Sequence, residues 1–220
     1  MKFVKLPLLL ALLTSALVLS PSCSSIGGSS KTKLSSDAGL GIKLTLIPDG
    51  KYGRHKTRSM NPRYITIHST QNFGSGAGAY THARLLQRGG LKSTHNSLGY
   101  LTWHYSVDDH SIYQSLPLNE QGQHADYEGT GNKKSIGIEM CENAGNSRSA
   151  TVNRTARLTA QLMKEFNIPL RNVVPHQHWQ RVRYSDGKIL GNKNCPHFLL
   201  DGGKPGPKWE SFLRKVKSYL

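Results

Sequence analysis

Alternation of apolar and polar positions from Ile42 to Ile47 predicts an edge strand, closed by a turn at Pro48-Asp49-Gly50. Tyr64 to Ser69 is a second, β-branched run; Ile65 and Ile67 share one face, Thr66 and His68 the other. The glycine-rich stretch Gly74 to Gly78 lacks the lysine of a phosphate loop and reads as a lead-in to a helix over Ala79–Arg88, stopped by Gly89-Gly90. Trp103–Val107 and Ser111–Gln114 read as a hairpin across Asp108-Asp109-His110. In Ser135–Glu142, Ile136, Ile138 and Met140 alternate with Gly137, Glu139 and Cys141, so Glu139 projects from one face of a strand. Helical spacing of apolar residues runs from Ala150 to Phe166 and recurs at Trp209, Phe212, Leu213, Val216 and Leu220. Val173-Val174 is a short buried strand between them. Strands interleaved with helices predict an α/β (α+β) domain with a central mixed β-sheet flanked by helices.

The N-terminus has a different pattern. Lys2 and Lys5 precede an apolar run from Pro7 to Ser20, too short for a comfortable membrane span and followed by small residues. Residues 1–23 are therefore expected to be a signal peptide, and the protein to be exported to the periplasm or cell envelope. Cys23 opens a second fate, acylation as a bacterial lipoprotein, although Ser20 stands where a leucine is usual; lipid anchoring and plain secretion are both open. Residues 24–40, rich in Ser, Gly and Lys, read as a flexible linker, and 41–220 as the catalytic domain.

Charge changes the picture of partners. The chain carries a formal +16, and loss of residues 1–23 removes Lys2 and Lys5 and no acid, leaving +14. Such a balance favours a polyanion. Nucleic acid fits the charge, but no nucleic-acid-binding motif is present, and the export signal favours a cell-wall polymer. Nucleic acid is not expected as a partner, and a monomer is expected. Of the three cysteines, Cys23 is lipidated or removed, Cys141 reads as a small core residue, and Cys195 is left for chemistry. A Cys141–Cys195 disulfide would consume that thiol.

His68 closes its strand. Far along the chain, Val173-Val174-Pro175-His176-Gln177-His178-Trp179 and Gly191-Asn192-Lys193-Asn194-Cys195-Pro196 supply further donors. Two histidines and a cysteine make a three-ligand site for one zinc ion, with the fourth position left for water. Pro175 and Pro196 stiffen the backbone beside His176 and Cys195. His178 competes for the metal, but in an extended stretch it points away from His176, which is the preferred ligand. Lys193, two residues before Cys195, is placed to hold an oxyanion. Glu139, a charge between apolar neighbours, needs a function or a partner, and a general base fits.

These residues resemble the zinc-dependent N-acetylmuramoyl-L-alanine amidases of type 2, a family that includes phage and bacillus cell-wall amidases and peptidoglycan recognition proteins. The resemblance runs from about Ile42 to Leu200 through Leu46-Ile47-Pro48, Arg63–His68, Trp103–Asp109, His124-Ala125, Asn132 with Ser135–Glu139, His176 with Trp179, and Lys193–Pro196. It implies cleavage of the amide between N-acetylmuramic acid and L-alanine of the peptidoglycan stem peptide. It implies His68, His176 and Cys195 as zinc ligands, Glu139 and Lys193 as catalytic residues, and Trp103, His104 and His124 along the substrate groove. Some members carry a tyrosine where Trp103 stands, so that tyrosine's role does not transfer; the bacillus-like members use the acidic residue instead. Gln180 to Gly191 reads as an inserted basic loop with Arg181, Arg183 and Lys188. The alternative function is a binding module that recognises muropeptides without cutting them, but such modules lack the cysteine ligand.

Overall fold

The structure is a computed structural model that describes residue 1, residues 31–55 and residues 58–220. The predicted signal peptide after Met1, Cys23 and linker residues 24–30 lie outside the described residues.

Six strands form one sheet: β1 (Ile42–Leu44), β2 (Tyr64–Ser69), β3 (Tyr105–Val107), β4 (Ile112–Gln114), β5 (Ser135–Met140) and β6 (Val173–Pro175), in the order β1-β4-β3-β5-β2-β6. Only the β3–β4 hairpin pairs antiparallel; the other neighbours are parallel, so the sheet is mixed as expected. The predicted edge strand from Ile42 is indeed at the edge, shortened to three residues.

One face of the sheet carries Ile65, Ile67, Tyr105, Val107, Ile136, Ile138 and Met140 into the main core. Helix α3 (Arg148–Phe166) covers it with Ala156, Leu158, Leu162 and Met163, and helix α4 (Pro207–Lys217) adds Trp209, Phe212 and Val216. Ser147 caps α3 by accepting from Ala150 N–H at 3.4 Å, and Asn167 ends it in the left-handed region at φ 51°. Helix α1 (Ala79–Gln87) lies over β3 and β4, where Leu86, Trp103, Ile47 and Leu116 form a second cluster. Asp108 sets the start of α1, taking Ala79 N–H at 2.9 Å, while its other oxygen takes Ser111 N–H at 2.7 Å and closes the hairpin turn. An acid at this end of a helix is also favoured by the helix dipole.

Two expectations are corrected. The predicted linker is not free from residue 31 onward. Leu34 and Leu40 are buried in the main core, Lys31 pairs with Glu165 at 2.5 Å, and Thr32 O accepts from Leu118 N–H at 3.0 Å. Two leucines in a polar stretch are enough to tie the segment down. Second, 180–191 is not an irregular loop. It folds as an antiparallel ribbon of β7 (Gln180–Val182) and β8 (Ile189–Asn192), with a register shift between Arg181 and Val182. A short helix, α2 (Thr130–Lys134), precedes β5.

Candidate metal and catalytic centre

The face of the sheet opposite α3 carries the chemistry. His68 on β2 is in register with Glu139 on β5, and Glu139 with Ser106 on β3, so the three project side by side. Two residues earlier along the strands, on the same face, the pair is Thr66 and Gly137. The His124 ring lies directly on Gly137: a Cβ there would come within 2.8 Å of it. Glycine inside a strand marks such a close approach, and here it brings His124 Nδ1 to 3.0 Å from His68 Nε2.

His176 follows β6 at the start of a single 3-10 turn, His176–His178, rather than in the expected extended stretch. The turn still separates the two rings. His176 is buried and points inward; His178 is exposed and packs on Trp179. Cys195 also sits in a tight turn, its N–H donating to Lys193 O at 2.8 Å. The two ligand loops are laced together, with Gln177 N–H on Cys195 O at 3.0 Å and Asn192 Nδ2 on Gln177 O at 2.8 Å.

His68, His176 and Cys195 present donor atoms that all lie within 4.8 Å of one another, and all three residues are buried. Hydrogen-bond partners assign the ring protons. Ser135 O can only accept, so His124 donates from Nε2 at 3.3 Å and its Nδ1 carries a lone pair. That lone pair takes the Nε2 proton of His68, leaving a lone pair on His68 Nδ1. Likewise His176 Nε2 donates to Ala125 O at 3.0 Å, leaving a lone pair on His176 Nδ1. The two Nδ1 atoms face each other at 2.9 Å. Burial holds His68 well below its ordinary pKa and takes His176 to about 3, so a proton between them is disfavoured. Two converging lone pairs beside a buried sulfur are the donor set of a soft-to-borderline cation. Burial, then the nearby Glu139, pushes the Cys195 thiol up to about 12; a cation would reverse that by favouring the thiolate. Ser69 N–H already points at its sulfur at 3.3 Å. The residues therefore fit a metal ion.

Asn132 on α2 holds this frame from behind. Its Oδ1 accepts from His124 N–H at 2.9 Å and Ala125 N–H at 2.8 Å, and Asp126 caps α2 through Gly131 and Asn132 N–H. Fixing the backbone at His124 and Ala125 positions the His124 ring on His68 Nε2 and the Ala125 carbonyl on His176 Nε2, and such outer contacts fix tautomer and ring angle.

Glu139 lies beside the cluster, Oε1 at 3.8 Å from His68 Nδ1, with 14% of its side chain exposed. Burial raises its pKa to about 7 against the opposing pull of Lys193, and its Oε2 has no hydrogen-bond partner. Lys193 and Glu139 both line a cavity of about 550 Å³ whose floor includes His176 and His124. The predicted centre of His68, His176, Cys195, Glu139 and Lys193 is thus assembled in one place, and His124 joins it.

Trp103 and His104 do not line the cavity. Trp103 donates from Nε1 to Ser106 Oγ at 2.9 Å and packs on Ile47, Leu86 and Leu116 under α1. His104 is fully buried; its Nε2 donates to Glu120 O at 2.9 Å and its Nδ1 accepts from Gly137 N–H at 3.0 Å. It supports β5 rather than substrate. Neither Asn132 nor Arg181 carries a local sequence signal of a site; Asn132 stands out only through its place in the family pattern.

Residues 58–198 match the family described as N-acetylmuramoyl-L-alanine amidase (Amidase_2). The chain is 41% identical over 179 residues to "N-acetylmuramoyl-L-alanine amidase CwlH" of Bacillus subtilis (strain 168), covering 80% of this chain and 61% of that protein. It is 45% identical over 175 residues to "N-acetylmuramoyl-L-alanine amidase XlyA" of the same organism, covering 79% of this chain and 50% of that protein. The chain thus spans about half to three-fifths of the length of these curated relatives. The solved catalytic domain of XlyA superposes with a TM-score of 0.64 at 40% identity, over 80% of this chain and 99% of that one. A mutant endolysin from Bacillus subtilis gives 0.65 at 42% identity, over 80% and 98%. With this fold, and with the family's match spanning the strands that carry the donor cluster, the chain belongs to the Amidase_2 family of N-acetylmuramoyl-L-alanine amidases.

Proposed function

We propose that the protein is a peptidoglycan hydrolase that cuts the amide between N-acetylmuramic acid and L-alanine of the stem peptide, with one zinc ion held by His68, His176 and Cys195. The observation that carries this reading is the juxtaposition of a three-donor cluster with a carboxylate of raised pKa and a lysine in one cavity. Zinc bound there supplies a Lewis acid that makes water nucleophilic near neutral pH. Glu139 takes the proton as the water oxygen bonds to the lactyl carbonyl carbon. The Lys193 ammonium faces the negative charge that develops on the carbonyl oxygen. Glu139 then returns the proton to the L-alanine nitrogen as the C–N bond breaks, which balances the hydrolysis. A carboxyl poised near pH 7 suits both directions of that transfer. A module that only binds muropeptides needs neither this carboxyl nor the buried sulfur ligand.

Export through residues 1–23, with Cys23 as an acyl anchor or a cleavage boundary, belongs to the same proposal, as does a monomeric enzyme in the cell envelope. Lys2, Lys5 and the apolar run that follows support it.

Glu139→Gln tests the mechanism. The variant should keep stoichiometric zinc while its turnover of purified peptidoglycan falls by about 10²–10⁴-fold. Near-full activity with zinc retained would remove Glu139 from the role of base.

A further inference from the structure

The cavity above the metal ligands is lined by cations from three segments: Lys92, Arg181 and Lys193, with His95 beside them. Glu139 is the sole acid among its lining residues. Among the described residues no ion pair ties Lys92, Arg181 or Lys193 to a carboxylate, whereas Arg183, next along the ribbon, is paired with Asp186 at 2.5 Å and Arg58 with Glu128 at 3.4 Å. The cavity lining therefore carries more positive than negative charge.

Arg181 is also built into position. The register shift of the ribbon falls between Arg181 and Val182, and its cross-strand partner Gly191 sits at φ +71°, a backbone region that favours glycine. Such bulges re-aim side chains next to active sites. Here Arg181 lines the cavity, while Gln180 and Val182 line a separate groove beside Tyr184. Two guanidinium donors are tied back, Nε to Gly191 O at 3.3 Å and Nη2 to Leu190 O at 3.1 Å. With five N–H groups in a rigid plane, the guanidinium keeps further donors for a ligand. The ribbon is itself held: Tyr184 N–H donates to His95 O at 3.3 Å, joining Arg181's segment to the one that bears Lys92.

We propose that Arg181, aided by Lys92, binds a free carboxylate of the stem peptide beyond the L-alanine, and so makes the enzyme selective for stems whose carboxyls are not amidated. The inference rests on the amidase reading of the same cavity. Arginine with carboxylate forms a charge-assisted, directional pair that a carboxamide cannot replace. Two stem positions offer that chemistry, the second residue's α-carboxyl and a side-chain carboxyl on the third.

The test uses the full mature chain with zinc and four synthetic N-acetylmuramoyl peptides, carboxylate or carboxamide at the second or third residue. For the wild type, kcat/KM should favour carboxylate over carboxamide by about tenfold or more at one position, which identifies the source. Arg181→Gln should collapse that ratio below about twofold through loss on the carboxylate substrate. Lys92→Gln, at an exposed position, should lower the same ratio in part. Equal rates on all four peptides by the wild type would overturn the carboxylate site and leave the amidase reading standing. An Arg181→Gln loss equal on both members of the preferred pair would assign Arg181 to ribbon structure and also overturn it. No cleavage of any peptide would sink the amidase reading, and this inference with it.

Discussion

Replacing Glu139 by glutamine should stabilise the metal-free protein, and by more at alkaline than at acidic pH. Glu139 has an ordinary value of 4.5 and is raised to about 7 in the fold, chiefly by burial. The folded chain holds this proton more tightly than the unfolded chain. Its contribution therefore costs nothing below pH 4.5, destabilises increasingly between 4.5 and 7, and reaches its full cost above 7. One pKa unit corresponds to about 1.4 kcal/mol, so the cost is about 1 kcal/mol at pH 5.5 and about 3 kcal/mol at pH 8.5. Glutamine has nearly the same shape and no charge to desolvate. Urea unfolding of wild type and Glu139→Gln, with chelator present throughout, should show the variant ahead at both pH values. The gap should widen by about 2 kcal/mol from pH 5.5 to 8.5. A gap independent of pH, or a wild type more stable at pH 8.5, would refute the claim that this carboxyl is held at a cost to the fold.

Cys195→Ser should lose stoichiometric zinc, read by elemental analysis after dialysis; full retention would contradict the ligand set. Arg54→Met strands Glu120, now held by Arg54 Nε at 2.7 Å and Nη2 at 3.0 Å inside the protein, and should cost about 3–5 kcal/mol in urea unfolding. A loss under about 1 kcal/mol would show the pair to be dispensable. A chain starting at residue 41 should be less stable than one starting at residue 31 by about 3 kcal/mol or more, because it lacks buried Leu34 and Leu40. Equal denaturation midpoints would restore the view of that segment as a free tether.

The ligand set was legible because each donor stands where the chain itself announces an ordered position: His68 at the end of a β-branched strand, His176 after Pro175, Cys195 before Pro196. Glu139 was legible from strand period alone, whereas its register with His68 is set by the pairing of β2 with β5, which no local pattern encodes. Residues 31–40 were not, since Leu34 and Leu40 are isolated apolar positions with no period to reveal what they pack on. Trp103 and His104 stand beside the site in sequence pattern, but α1 covers one and the Glu120 carbonyl claims the other, and both facts depend on tertiary packing. The ribbon reads as a basic loop because its few apolar residues, Val182, Tyr184 and Ile189, remain exposed and give no core-facing alternation. Asn132 works through backbone amides eight and seven residues away, a contact that no local signal encodes.

The central claim, a metal-dependent amidase, is tested most directly by digesting purified peptidoglycan with the mature chain and identifying the products by mass spectrometry. Chelator and zinc add-back are the two controls. The account predicts free stem peptides beginning at L-alanine, abolished by chelator and restored by zinc. Tight binding to the wall without release of such peptides, or release unaffected by chelator, would contradict it.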